Sequence, residues 1–343
     1  MKKSLIAMAA LTAFAGVASA QSSVTLFGIV DLAARQVKNH SGSLKTLSTN
    51  GQASSRLGVR GIEDLGGGMR AGFWLEGDLS ADVGGGQKTG ATQNGSIANG
   101  QDWQRRSTIS LLGGFGEIRL GRDYNPVFNT AVSHDPFAYV GVASSGNLRS
   151  RFYAVPVGNP GLAARNNNSI GYFLPAMGGL YGQVMVAAGE GATGNKYIGA
   201  RLGYAAGPLN FSGAFGKAEK TGTMIDDATS VIVGGSFNAG FATFHSSYEV
   251  ADYSTTKRKL ATIAAVVPVG TGAFKAQYVK ASGATMIGLG YVQGLSKRTS
   301  LYTNFGRVNN KGANVYTASP SGPAVTLGGK TSTGYDFGVR HDF

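Results

Sequence analysis

Gly334-Tyr335-Asp336-Phe337-Gly338-Val339-Arg340-His341-Asp342-Phe343 alternates with period two. Tyr335, Phe337, Val339, His341 and Phe343 share one side of an extended chain. Gly334, Asp336, Gly338, Arg340 and Asp342 share the other. Successive side chains of a strand point to opposite faces, so this segment has an apolar face and a polar one. The pattern recurs where Met69, Ala71, Phe73 and Leu75 alternate with Arg70, Gly72, Trp74 and Glu76. It recurs again where Leu57 and Val59 alternate with Arg56, Gly58 and Arg60, and where Phe274, Ala276 and Tyr278 alternate with Lys275 and Gln277. Helical periodicity is nowhere sustained.

Working outward from these stretches delimits sixteen strands: 23–34, 52–62, 69–79, 104–113, 116–123, 166–174, 180–188, 197–206, 208–217, 229–238, 240–250, 258–268, 272–280, 284–293, 297–307 and 332–343. Most have the length at which a tilted strand crosses a bilayer core. Their connections alternate between short turns, such as Gly114-Phe115, and long segments, such as 35–51, 79–103, 124–165 and 308–331. An even strand number with short turns at one rim and long loops at the other predicts an all-β fold, a transmembrane antiparallel β-barrel of sixteen strands. A soluble sandwich also has many short strands, but it would not require this alternation and would carry more surface charge. Only 14% of the 343 residues are charged, against about 25% in an average soluble domain.

Composition narrows the chemistry. The absence of cysteine excludes disulfides, thiolate metal sites and cysteine nucleophiles. The 54 glycines follow no triplet repeat, which excludes collagen. Lys2 and Lys3, an apolar run from Leu5 to Phe14 and Ala18-Ser19-Ala20 read as a cleavable export signal over 1–20. Residues 21–343 then form one barrel unit. The net charge is +13, of which Lys2 and Lys3 supply two, leaving +11.

Sixteen strands make a barrel wide enough for an aqueous lumen. Arg56 and Arg60, four apart on one strand, point to one face, and Arg70 joins them from the next strand. If that face is the lumen, the three form a cationic ladder that favours anions. The 124–165 connection is the longest and is the candidate to fold inward as a constriction. The four histidines lack metal-ligand spacing, so no metal or cofactor is expected. Gly189-Glu190-Gly191-Ala192-Thr193-Gly194 matches a dinucleotide fingerprint but joins two strands and opens no helix. Loop acids such as Asp82, Asp102, Asp226 and Asp227 read as solvated. Arginines alternating along strands, without aromatic RNA-binding motifs, argue against nucleic acid. Loop lysines and arginines suit the phosphates of outer-leaflet lipopolysaccharide.

The chain resembles the general bacterial porins, in particular the Gram-negative-type porins of β-proteobacteria. The resemblance is carried by Gln21-Ser22-Ser23-Val24-Thr25-Leu26-Phe27-Gly28, Ser55-Arg56-Leu57-Gly58-Val59-Arg60-Gly61 and Gly72-Phe73-Trp74-Leu75-Glu76. It continues through Gly121-Arg122-Asp123-Tyr124, Asn168-Ser169-Ile170-Gly171-Tyr172 and Gly338-Val339-Arg340-His341-Asp342-Phe343. It implies an outer-membrane homotrimer whose third extracellular loop folds into the lumen. Phe343 resembles the family's signal for the barrel-insertion machinery. Arg56, Arg60 and Arg165 match wall bases, Arg106 lies beside a further such position, and Thr108 competes for that slot. Glu76 matches a wall acid and Asp135 a loop acid. A second loop acid is missing, because Pro136-Phe137-Ala138-Tyr139 stands where many members have Pro-Glu-Phe. The implied role is passive diffusion of ions and small hydrophilic solutes, with anions preferred. The alternatives are a channel selective for one anionic solute or oligosaccharide, and an adhesin acting through its outer loops. No catalytic residues are expected.

Overall fold

The computed structural model describes residues 23–85, 102–149, 162, 164–191, 194–220, 226–253 and 256–343. The expected export signal, and most of the glycine-rich 84–100 stretch, lie outside them. Among the described residues the chain forms β1 (Ser23–Asn39), β2 (Gly42–Thr49), β3 (Arg56–Gly66), β4 (Met69–Asp78), β5 (Arg106–Gly113) and β6 (Gly116–Tyr124). Two short helices follow, α1 (Pro126–Ser133) and α2 (Gly146–Arg149). The wall resumes with β7 (Arg165–Phe173), β8 (Leu180–Ala187), β9 (Tyr197–Ala206), β10 (Leu209–Ala218) and β11 (Ala228–Asn238). It ends with β12 (Thr243–Asp252), β13 (Lys257–Val269), β14 (Gly272–Ala281), β15 (Ala284–Gly294), β16 (Thr299–Asn310) and β17 (Thr331–Asp342).

From β3 onward each strand pairs antiparallel with the next, and β17 pairs with β1 from Ile29↔Asp342 to Lys38↔Thr333. Gly28 and Phe343 extend that seam by exchanging backbone hydrogen bonds at 2.9 and 3.0 Å. Seventeen segments make sixteen wall strands, because β2 and β3 are one strand with a break. The outer half of β1 pairs with β2 and its inner half with β3. The 35–51 stretch, expected as a loop, is therefore a β-hairpin that lengthens the wall, and the expected strand at 52 begins at Arg56. The break has a local cause. Asp31, fully buried, accepts hydrogen bonds from the amides of Gly51, Gln52 and Ala53 at 3.0, 2.9 and 2.7 Å, and from the Tyr302 hydroxyl. Asn50 turns the chain there with φ 65°. Amides that would have continued the ladder are thus bound by a carboxylate.

Alternation sorts the residues as expected. Leu26, Ile109, Leu120, Val233, Ile263 and Phe337 are exposed on the outer face. Asp31, Glu76, Asp123, Glu249 and Asp336 are buried on the inner one. The outer face is an apolar surface suited to hydrocarbon, which is the arrangement a spanning barrel needs.

The segment after β6 departs from the expected absence of helix. Asn125 caps α1, its side chain accepting from the Phe128 amide at 2.8 Å, and Pro126 opens the first turn. Eight residues are too few to show a repeating period. Val127 and Ala131 of α1 pack on Ala214 and Ile232, inward residues of β10 and β11. Farther along, Val142 and Ala143 lie on a row of inward glycines, Gly288, Gly306 and Gly334, aligned across β15, β16 and β17. A Cβ at Gly306 would overlap the Val142 carbonyl oxygen. Gln277 donates to the Ala143 carbonyl, and the Val142 amide donates to Asp336 at 3.2 Å. These contacts hold the segment against the inner wall on two sides.

Replacing Asp31 by alanine leaves three amides without their acceptor. We expect Asp31→Ala to cost about 3 kcal/mol or more, read as a lower urea midpoint for the heat-modifiable folded band in detergent. An unchanged midpoint would show that the 50–55 break is held some other way.

Candidate pore constriction

Where the inward segment faces β3, β6 and β17, it leaves a cavity of ≈ 740 Å³. Among the described residues, the charged ones lining it are Arg56, Arg105, Arg149, Arg165 and Arg340, with no Asp or Glu. Tyr124, Phe128 and Tyr139 supply an aromatic side. The carboxylates that compensate these arginines sit behind them. Glu76, buried in the wall, accepts from Arg105 Nε at 2.5 Å, from Arg56 Nη1 at 3.3 Å and from Trp74 Nε1 at 3.0 Å. Arg105 also donates to Asp78 at 2.7 Å. Arg149 forks onto the fully buried Glu249 of β12 at 2.7 and 2.9 Å, tying the loop to the far wall. Arg340 donates to Asp342 twice at 2.8 Å. Arg165 lies 4.2 Å from the Tyr124 ring centroid and donates to the Tyr124 hydroxyl at 2.5 Å. It has no carboxylate partner among the described residues.

The expected site residues divide. Arg56 and Arg165 line the cavity, and Glu76 stands behind it. Arg60 and Arg106 are displaced toward the short turns, where both stack on Trp74 at 5.0 and 4.5 Å. Arg106 pairs with Asp123 at 3.5 Å. Arg70 points inward beside the β3–β4 turn, in register with Asp64, and lines neither this cavity nor the lower one. The ladder of Arg56, Arg60 and Arg70 thus shares a face but spreads along the axis, because residues four apart on a strand are about 13 Å apart. Asp135 does not face the cavity. It accepts from the Phe137 amide at 2.7 Å, the Ser145 amide at 3.2 Å and the Ser145 hydroxyl, so it staples the loop to itself. Burial pushes its carboxyl up, against the pull of those hydrogen bonds. Phe343 lies outside this region, its ring over Gly28 at the seam.

Sequence reading missed Arg105 and Arg149. Arg105 and Arg106 are adjacent, and only the strand register shows which one turns toward Glu76 and Asp78. Arg149 has no local signal, since its partner is 100 residues away. Alternation puts Arg340 on the polar face and by itself gives it no role.

The Gram-negative porin family model matches residues 7–313. The chain belongs to the Gram-negative porin family. This porin is 38% identical to outer membrane porin protein 32 of Delftia acidovorans over 366 aligned positions, covering all of both chains. It is 31% identical to a major outer membrane protein P.IB of Neisseria gonorrhoeae over 57% of this chain and 52% of that one. Among solved structures it is similar to an anion-selective porin from Comamonas acidovorans, with TM-score 0.82 and 35% identity, over 94% of this chain and 100% of that one. An OmpF of Salmonella typhi shares the fold alone, with TM-score 0.68 at 14% identity, over 93% and 97% of the two chains. The protein is thus an outer-membrane barrel that forms a diffusion channel.

Two predictions concern the loop of this porin. Gly306→Val drives a side chain into Val142, so the loop must leave the wall. We expect an altered single-channel conductance from a barrel of unchanged heat-modifiability; an unaltered conductance would contradict the close approach. His134 ends α1 against Gly234 and pairs with Ser212 Oγ at 3.0 Å. Burial first, then Arg201 of β9 and His245 of β12, push it down to about 4 from 6.5. A released loop would take up a proton below pH 6.5 that the docked one refuses until about pH 4. Docking therefore weakens as pH falls through that window. Current noise should rise there, and His134→Gln should abolish the rise.

Proposed function

We propose that this channel prefers anions, with Arg56, Arg105 and Arg165 at its narrow point. The observation that carries the reading is the cavity lining: among the described residues, five arginines and no carboxylate. Guanidinium stays charged at any working pH. A cluster of like charge between low-dielectric walls raises the local concentration of counter-ions. The carboxylates are tied up behind the arginines and are not offered to a passing cation. The similar Comamonas acidovorans channel is described as anion-selective, which supports the same sign here. Solutes would cross down their gradients, with no bond made or broken.

Lys275, inward on β14, donates to the Pro136 carbonyl at 2.9 Å and adds positive charge to the loop's far side. Arg60, Arg106 and Arg70 would extend the positive field toward the periplasm. Asp135 would act by holding the loop's shape. The exposed apolar wall supports a trimer seated in lipid, and charged loops support contact with lipopolysaccharide. Phe343, paired to Gly28 and partly exposed, suits the proposed assembly signal.

The test is the zero-current potential in a KCl gradient across a planar bilayer. Wild type should show chloride preference. Arg56→Gln and Arg165→Gln should each lower the chloride-to-potassium permeability ratio roughly fivefold, for about 1 kcal/mol per charge removed from a partly wet site. Potassium preference in the wild type would overturn the reading.

A further inference from the structure

A second cavity, of ≈ 420 Å³, opens in the lumen on the short-turn side of the constriction. Its chemistry is two-sided. Arg60, Arg106 and Arg119 approach it from β3, β5 and β6, while Ile62 and Leu112 form a floor nearer the turns. The three guanidinium groups are not equivalent. Arg119 is bound to Glu117 at 2.8 Å and Asp123 at 2.5 Å. Arg106 shares Asp123 at 3.5 Å. Arg60 has neither a carboxylate nor a hydrogen-bond partner among the described residues.

Arg60 is nevertheless held in place. Its guanidinium carbon lies 5.2 Å from the Phe27 ring centroid and 5.0 Å from that of Trp74. The two rings meet edge to face at 5.0 Å. Contact with aromatic faces leaves the N–H donors free, and a carboxylate matches that fork with two parallel hydrogen bonds. Nearby, Arg106 Nε and Thr108 Oγ1 are buried and meet no hydrogen-bond partner among the described residues. An inorganic ion would use the donors and leave the apolar floor wet. A carboxylate carried on an apolar body would use both.

We propose that this vestibule binds organic monocarboxylates with a compact apolar body, Arg60 receiving the carboxylate and Ile62 with Leu112 receiving the body. The site deepens the anion-preferring reading by naming a solute class, and it rests on that reading only for how the solute arrives. Occupancy would concentrate such solutes at the periplasmic side of the constriction.

Benzoate is the probe and acetate its control. Trp103→Phe leaves Trp74 as the sole tryptophan, so fluorescence of the detergent-solubilised full chain reports on the vestibule without any current. Benzoate should change that signal saturably, at a half-saturating concentration about tenfold below that of acetate. Arg60→Gln should raise the benzoate value about tenfold or more, and Arg60→Lys, which keeps charge but loses the fork, should fall between. Heat-modifiable gel mobility verifies that each variant is folded; should Arg60→Gln fail to fold, Arg60→Lys carries the test. A benzoate titration indifferent to the Arg60 substitutions, or equal affinity for acetate, overturns the proposal. Arg165→Gln, at a residue that touches Tyr124 and lines only the upper cavity, separates the two readings. It should move the KCl zero-current potential and leave the Trp74 titration unchanged, so either result can fail alone.

Discussion

Hydrocarbon offers backbone amides and carbonyls nothing to bond, so a sheet that crosses it must close. Here closure is the pairing of β1 with β17, extended by the mutual hydrogen bonds of Gly28 and Phe343. Everything else inherits its position from that seam. Side chains alternate with period two, so a slip of one residue would turn arginines to lipid and leucines to water. Within the seam Arg35 and Asp336 face each other in register and pair through two contacts, at 2.6 and 3.0 Å, both nearly buried. Losing one partner of such a pair leaves an uncompensated charge, which is why the pair discriminates against slipped registers.

Asp336 also accepts from the Val142 amide. One carboxylate therefore touches the first wall strand, the last, and the loop that narrows the lumen. The inner wall offers that loop two kinds of surface. Gly288, Gly306 and Gly334 form a flat strip that the Val142–Ala143 backbone can approach closely. Ala214 and Ile232 form an apolar pad for α1. Between these anchorages the loop presents aromatic side chains and Arg149 across from Arg56 and Arg165. Glu76 and Glu249, which hold Arg56 and Arg149, lie deeper in the wall, and Tyr124 holds Arg165, so the geometry is fixed while the exposed field keeps one sign.

Much of this was legible along the chain, because strand alternation is local. The inward placement of Arg56, Arg60, Glu76, Asp336 and Arg340 follows from parity alone, and so does the outward placement of Leu57, Val59 and Phe337. Alternating connection lengths revealed the closed architecture. The failures share a cause. The 35–51 segment reads as a polar loop until one knows that Asp31 captures the amides after Asn50. Asp135 looks like an eyelet acid until Ser145, ten residues on, is seen to bind it. Arg149 and Arg35 depend on partners 100 and 301 residues away, and no local pattern encodes such distances. Position along the pore axis was the other gap: parity says which face a side chain takes, but not how far from the constriction it lies.

The central claim is that one face of each strand is wet and the other is not, and the absence of native cysteine makes this directly measurable. Single cysteines placed in turn as Leu57→Cys, Val59→Cys, Arg60→Cys and Ile62→Cys on β3, where the inward side chains at 60 and 62 are exposed, can be challenged in outer-membrane vesicles with a charged, membrane-impermeant thiol reagent. Modification is expected at 60 and 62 and protection at 57 and 59. Uniform reactivity, or the opposite parity, would contradict that claim.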